Sequence, residues 1–381
     1  MSKESHFNSL KFEGRPTHAE VNLRIINENL EAIRKKVNPS KVMLILKANA
    51  YGHGLKDVAE YLGDKADYLG VAVLEEGIFL REIGSKTPIL VMGGVWSDQI
   101  PQYIENDLTI TASSVERLEQ INQAAESLRK KARVHLKIDT GMERIGVHYY
   151  NADTLLNASL IYGKSIDVEG IYSHFANADS KDLSHAHLQL ERFNEVLRFY
   201  EKHSLPSPIR HMSNSAAVLQ IPESNFDLVR PGILMYGIYP SHECQKSIVV
   251  KPALSIKSRV VYFKVVKPGH SVSYGSTWKS DHMVRVVTVP VGYGDGYLRS
   301  MSNKAKVIIN GEVYPQIGRI CMDQIMVNIE WGTAYNGDEV IIIGESDGKR
   351  ISVEDLAVWA ETIPYEILTN INTRVPRVYY K

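Results

Sequence analysis

The sequence predicts an α/β protein: an N-terminal (β/α)8 TIM-like barrel followed by a mostly antiparallel β domain. Three observations carry this prediction. Over the first 240 residues, short β-branched or apolar runs alternate with longer segments of helical period. Beyond about residue 240 the texture turns β-rich and is punctuated by Gly-Asp, Asn-Gly, Asp-Gly and Pro-Gly. The length, 381 residues, suits two domains or three small ones, and the change of texture sets two, 1–240 and 241–381.

In chain order, the strand candidates of the first part are residues 18–22, 41–47, 68–73, 89–92, 108–111, 133–138, 168–173, 209–212 and 226–229. Helical patterns fill residues 23–37, 54–62, 114–130 and 185–203. Strand–helix alternation implies parallel strands with crossover helices. Nine runs are one more than a closed barrel needs, which leaves the first or the last to pair elsewhere, with the first assigned to the C-terminal domain. In the second part, residues 254–266, 284–291, 305–309, 324–329 and 340–343 read as strands, and 353–360 as the one clear helix.

Composition excludes several classes. Lys+Arg and Asp+Glu are 44 each, so no net field draws the chain to nucleic acid or an anionic membrane. The two cysteines, Cys244 and Cys321, exclude a disulfide scaffold. No apolar run approaches the roughly 20 residues of a membrane span. The first eighteen residues show no apolar core of a signal peptide, so a cytoplasmic protein is expected. Tyrosine outnumbers phenylalanine, 20 to 8, which favours an aromatic able to hydrogen-bond or carry a proton.

Chemistry gathers at the ends of the predicted strands. The run Leu46-Lys47-Ala48-Asn49-Ala50-Tyr51-Gly52-His53-Gly54 places a lysine where a barrel strand meets the mouth. A desolvated amine there loses its proton readily and attacks carbonyls. The run from His135 to Gly146 holds Lys137 inside a strand and Arg144 just beyond it. An interior lysine needs a partner or a lost charge, and a guanidinium grips a carboxylate in a forked geometry. His174, at the end of the next strand, suits a proton network. His211-Met212-Ser213-Asn214-Ser215 follows another strand and opens a helix, where Asn214 or Ser215 serves as a cap and the free amides favour an anion. Arg230-Pro231-Gly232-Ile233 supplies a second close backbone. His185 and His187 lie in a helical segment without other ligands at metal spacing, and read as a solvated face.

The lysine run resembles the cofactor-lysine signature of the alanine racemases, pyridoxal 5'-phosphate enzymes with this two-domain fold. Similar motifs recur in order from about Thr17 to Val375. The resemblance implies that Lys47 holds the cofactor and exchanges a proton on the D face of the substrate, with Tyr274 as the second base on the L face. It implies cofactor contacts from Tyr51, His174, His211, Asn214, Ser215, Gly232, Ile233 and Tyr365. Arg230 would face the pyridine nitrogen, where an arginine, which keeps its proton, leaves that nitrogen largely unprotonated. Arg144 and the backbone amide of Met322 would orient the substrate carboxylate. Lys137, in carbamylated form, would hold Arg144, with Tyr293 at the entrance and Asp323 beside Met322 in support. Where the family pattern often has Gly, this chain has Glu143. The resemblance also implies a homodimer with shared sites, Tyr274 and the Met322 loop reaching the neighbouring copy. No nucleic acid, membrane or metal partner is expected. The competing readings are a racemase of broader specificity, a basic amino-acid decarboxylase on the same fold, and a non-catalytic cofactor carrier. Arg230 argues against the decarboxylase and Tyr274 against the carrier.

Overall fold

The computed structural model describes residues 14–381, so the stretch weighed for a targeting signal lies, up to residue 13, outside the described residues. The chain divides into two compact units. One holds residues 25–50 and 55–251, and the other residues through 24, 51–54 and 252–381.

Strand β1 (His18–Asn22) belongs to the second unit. The first unit is built on β2 (Lys41–Ile45), β3 (Tyr68–Val71), β4 (Ile89–Val91), β5 (Thr109–Ala112), β6 (Ala132–Asp139), the two-residue β7 (Val147–His148), β8 (Ile166–Tyr172), β9 (Ile209–His211) and β10 (Leu228–Val229). Eight of these run in the order β10-β2-β3-β4-β5-β6-β8-β9, every neighbouring pair parallel. Asp227 N–H to Arg210 C=O, 3.0 Å, and Arg230 N–H to Ser213 C=O, 2.9 Å, bring the two ends together into a near-closed barrel. β7 pairs with the end of β6.

The strands form where they do because both faces are covered. Val42, Met43, Leu44, Ile45 and Leu46 are each 3% exposed or less, the continuous apolar run of a parallel strand with helices on one side and core on the other. Burying each such side chain contributes about 1.5–3 kcal/mol. In β6 the period of two segregates chemistry: Val134, Leu136 and Ile138 share one face, and His135, Lys137 and Asp139 the other. Helix Leu23–Val37 buries Ile26, Leu30, Ile33 and Val37, one face at helical spacing, and ends on Arg34, Lys35 and Lys36, which suit its C-terminal dipole.

Of the nine strand candidates it is the first that pairs elsewhere. β1 runs antiparallel to Leu254–Arg259 and parallel to Arg377–Tyr380. The other ladder pairs on this path of the second unit's large sheet are antiparallel. A small core of Val266, Val272, Val284, Val286 and Ile317, with Trp278 and Met326 packed against it, supports the turn that carries Tyr274. Beside the expected helix, here Val353–Ala360, lies a second, Pro364–Thr369, whose six residues are too few for a helical period to show in sequence. No helix of the described residues is long and apolar enough to cross a membrane.

Candidate active site

Lys47 stands two residues past the end of β2, and the backbone there does what periodicity did not foretell. Ala48, Asn49, Ala50 and Tyr51 all have φ between 52° and 56°, one turn of left-handed helix made of non-glycine residues. Each such residue costs about 1–2 kcal/mol, so the turn must be over-determined by its surroundings. Glu76 Oε1 accepts the Ala48 N–H at 2.7 Å, Asn49 Oδ1 accepts that of Leu55 at 2.7 Å, and Leu46 C=O accepts that of Ala50 at 2.8 Å. Burial foremost, and then the Arg144 charge, pull the Lys47 amine below its ordinary pKa. Glu76 opposes that shift and Arg230 adds to it.

Arg144 sits on a loop organised by one carboxylate. Asp139 Oδ1 accepts the N–H groups of Gly141 and Met142 at 2.8 and 2.9 Å, and Oδ2 that of Arg144 at 3.2 Å. Burial pushes the Asp139 carboxyl up, but the backbone donors of Gly141, Glu143, Met142 and Arg144 outweigh it and hold it low. The loop is braced behind by Arg192 Nη1 on Thr140 C=O, 2.9 Å, and by His185 Nε2 on Gly141 C=O, 3.1 Å. His185 is therefore no part of a solvated face, though His187 is exposed as expected. The Arg144 guanidinium meets no acceptor among the described residues. Glu143 does not take that place: it is exposed, with φ +54°, and its carboxylate lies 2.9 Å from His148 Nε2. The left-handed backbone at this position is one that glycine adopts without strain.

Lys137, Asp139, Arg144, Ser173 and His174 line one small pocket. Burial, then Arg230, depress the Lys137 amine well below its ordinary value, with Asp139 opposing. Its Nζ lies 4.7 Å from the centre of the Tyr172 ring.

Arg230, 4% exposed, is the most constrained group. Its Nη1 donates to His211 Nδ1 at 2.7 Å, and its Nη2 to Ser173 C=O at 2.7 Å, Met212 C=O at 3.1 Å and His174 Nδ1 at 3.1 Å. A guanidinium only donates, so His211 and His174 both carry their proton on Nε2. His211 Nε2 then donates to His135 Nδ1 at 2.8 Å. Burial first, then Arg230, depress all three imidazoles, His135 to about 3. Burial also lowers Arg230, to about 10, which leaves it a cation at neutral pH. Tyr172 completes the packing: its ring stacks on His211 at 4.7 Å and 5°, and its hydroxyl pairs with Thr111 at 2.8 Å.

Past β9, Asn214 caps the short helix Ser215–Gln220, its Oδ1 accepting the N–H groups of Ala216 and Ala217. The buried Ser215 hydroxyl accepts the N–H of Gly232 at 2.8 Å and of Leu234 at 3.3 Å, which fastens the 230–234 turn to this helix start.

The second unit carries the remaining candidates. Tyr274 is 70% exposed, on a turn with Ser273 at φ +68° and Gly275 at +70°. Ser273 Oγ donates to Arg319 C=O at 2.6 Å, which ties the turn to the loop before Met322. Met322 and Tyr293 are exposed, and their loops pair: Tyr293 N–H donates to Cys321 C=O and Gly294 N–H to Met322 C=O. Asp323 is 2.6 Å from Arg374. Tyr51 and Tyr365 have ring centroids 6.1 Å apart.

Four contributors escaped the sequence reading. His135, Asp139, Tyr172 and Glu76 each look ordinary alone. The first three stand at strand positions whose alternation with buried aliphatics is the only signal available, and Glu76 acts through a backbone conformation that sequence does not announce.

A desolvated lysine, a guanidinium that meets no acceptor among the described residues and a buried arginine–histidine relay follow barrel strand ends, the place where barrel enzymes bind small molecules. Residues 21–240 match the family model for the alanine racemase N-terminal domain, and residues 253–379 that for the C-terminal domain. The chain is 42% identical over 368 residues to an alanine racemase of Carboxydothermus hydrogenoformans, covering 96% of this chain and all of the other. Among solved structures it resembles the alanine racemase of Clostridium difficile 630, TM-score 0.89, 38% identity, covering 96% of each chain. It also resembles that of Bacillus anthracis with bound L-Ala-P, TM-score 0.90, 33% identity, covering 96% and 95%. The chain belongs to the alanine racemase family, whose general role is the supply of D-alanine for peptidoglycan.

Proposed function

We propose that this chain interconverts L- and D-alanine with two bases on opposite faces of Cα, Lys47 on the D face and Tyr274 of a neighbouring copy on the L face, in the cytoplasm. The observation that carries the reading is the buried Arg230, locked by His211 and His174 in the same electrostatic neighbourhood as the desolvated Lys47.

The residues fit pyridoxal 5'-phosphate. Lys47 offers an amine whose proton is easily lost, Arg230 a fixed cation for the ring nitrogen, and Asn214, Ser215, Gly232 and Ile233 a backbone-rich turn for the phosphate, with Tyr51 and Tyr365 as further partners. When bound, the cofactor supplies a carbonyl for Lys47 and a conjugated ring that accepts the electron pair left at Cα. Because Arg230 keeps its proton, it does not give one to the ring nitrogen. The sink is weakened, which favours local proton exchange over transamination or decarboxylation.

Arg144, whose guanidinium has no acceptor among the described residues, takes the substrate carboxylate with the Met322 N–H. Lys137 has mostly cations around it. As a neutral amine it can add carbon dioxide, releasing one proton and becoming an N-carboxylate that faces Arg144. A tyrosine hydroxyl needs a hydrogen-bond partner to act as a base near neutral pH. The tautomer assigned to His174 leaves Nε2–H to donate to the phenolate and so favour it.

The test is chiral chromatography after incubating the protein and cofactor with L-alanine, L-serine or L-lysine. Near-equimolar D- and L-alanine, with little D-isomer from the others, is expected. D-isomers from several substrates would broaden the specificity, and none from any would overturn the reading. Lys47→Ala should lower turnover by at least about 1,000-fold and abolish the cofactor's absorbance band on the purified protein.

A further inference from the structure

The Met322 loop has no regular structure, yet its amide must be aimed. Its bearing is set by the loop beside it. Cys321 C=O accepts the Tyr293 N–H at 3.1 Å, and Met322 C=O the Gly294 N–H at 2.9 Å, so two successive peptides are pinned. The 321–322 peptide is trans. Its N–H therefore points away from its carbonyl, outward from Tyr293, and it meets no acceptor among the described residues.

What holds the 292–297 loop in turn is a buried carboxylate. The Asp295 side chain is 1% exposed, and its oxygens receive Arg15 Nη1 and Nη2, both at 2.8 Å, and the Gly292 N–H at 3.1 Å. Arg374 Nε stands 3.4 Å from Asp295, while Arg374 Nη2 reaches Asp323 at 2.6 Å. One guanidinium thus joins the buried carboxylate of one loop to the residue after Met322 on the other. Gly292 and Gly294 permit the approach: a Cβ on Gly292 would lie 2.3 Å from Cys321 C=O, and one on Gly294 2.4 Å from Arg374 Nη1. Arg15 also donates to the Arg374 carbonyl at 2.9 Å. The Arg15 and Arg374 guanidiniums beside it compensate the buried Asp295 charge, which is the condition under which a carboxylate tolerates burial.

We propose that Arg374, bridging Asp295 and Asp323 with Arg15 behind it, is a positioning residue that aims the Met322 amide at the substrate carboxylate. This rests on the reading that the amide binds that carboxylate. Arg374 itself touches no substrate. Its loss should loosen carboxylate binding while leaving the proton-transfer groups intact.

The test compares unsubstituted holoenzyme with Arg374→Met, Arg374→Lys and the milder Asp323→Asn. Asp323 is exposed, so that variant cuts the bridge without opening the buried cluster. The readouts are KM and kcat for both alanine enantiomers, the inhibition constant of propionate, the cofactor absorbance and the thermal melt. Propionate carries a carboxylate without an amine. Expected is a rise of about tenfold in KM and in the propionate constant for Arg374→Met, a smaller rise for Asp323→Asn, and partial recovery in Arg374→Lys. The absorbance should not move and kcat should change less than about threefold. A variant that melts lower but keeps KM and the propionate constant would assign the cluster a structural role and overturn the proposal. If propionate fails to compete with alanine on the unsubstituted protein, the carboxylate reading falls, and the proposal with it. If it competes and Asp323→Asn and Arg374→Met leave it unmoved, the proposal alone falls.

Discussion

At the scale of single residues, the barrel interior is organised by neutral histidines. His135 and His211 are fully buried, and both are depressed by burial and by Arg230. In the unfolded chain they titrate near 6.5. Below that pH the unfolded state binds more protons than the native state, so stability falls as pH falls, by about 1.4 kcal/mol per pH unit for each histidine. Urea unfolding at pH 7, 6 and 5 checks this, and a flat profile would contradict it. Gly170 is set by the same relay. A Cβ there would lie 2.7 Å from His135 ring atoms. Gly170→Ala should cost about 1–3 kcal/mol in urea unfolding and shift the histidine proton signals in NMR, since His135 must move off His211.

At the scale of elements, the contrast between what sequence carried and what it did not has a physical basis. Strand–helix alternation places β2 to β6 and β8 to β10 because short runs of buried aliphatic residues between helical stretches leave a strong signal, whereas the two-residue β7 was not among the candidates. The same alternation left the first or the last run to pair elsewhere; β1 alternates buried and half-buried residues, and its pairing with Leu254–Arg259 and Arg377–Tyr380 takes it out of the barrel. Lys47, Arg144, His174 and Arg230 were legible because each follows a strand end. The relay to His135 was not, since a histidine among strand residues carries no mark of its partner. The left-handed turn at Ala48–Tyr51 was hidden too, for alanine and asparagine read as ordinary helix formers or caps. That turn gives an inverted prediction. Ala48 is exposed at φ +53°, so Ala48→Gly should stabilise the protein by about 0.5–1 kcal/mol. Ala124→Gly, within helix Val115–Leu128, should cost about 1 kcal/mol. Thermal melts of the two variants give the comparison, and a loss at both sites would contradict the strain argument.

At the scale of the whole molecule, the proposed chemistry depends on where the two bases come from. Tyr274 is exposed on its own unit, the unit that also carries the Met322 loop. Lys47 and Arg144 share a mouth in the other unit. The proposal joins these sets across two copies of the chain. Co-expressing a Lys47→Ala chain with a Tyr274→Phe chain tests it most directly. Each variant alone lacks one base in every site. In a mixed pair with shared sites, one site combines an intact Lys47 with an intact Tyr274, and random pairing should restore about a quarter of the unsubstituted alanine racemisation rate. No activity above the sum of the two variants measured separately would contradict the shared two-base site.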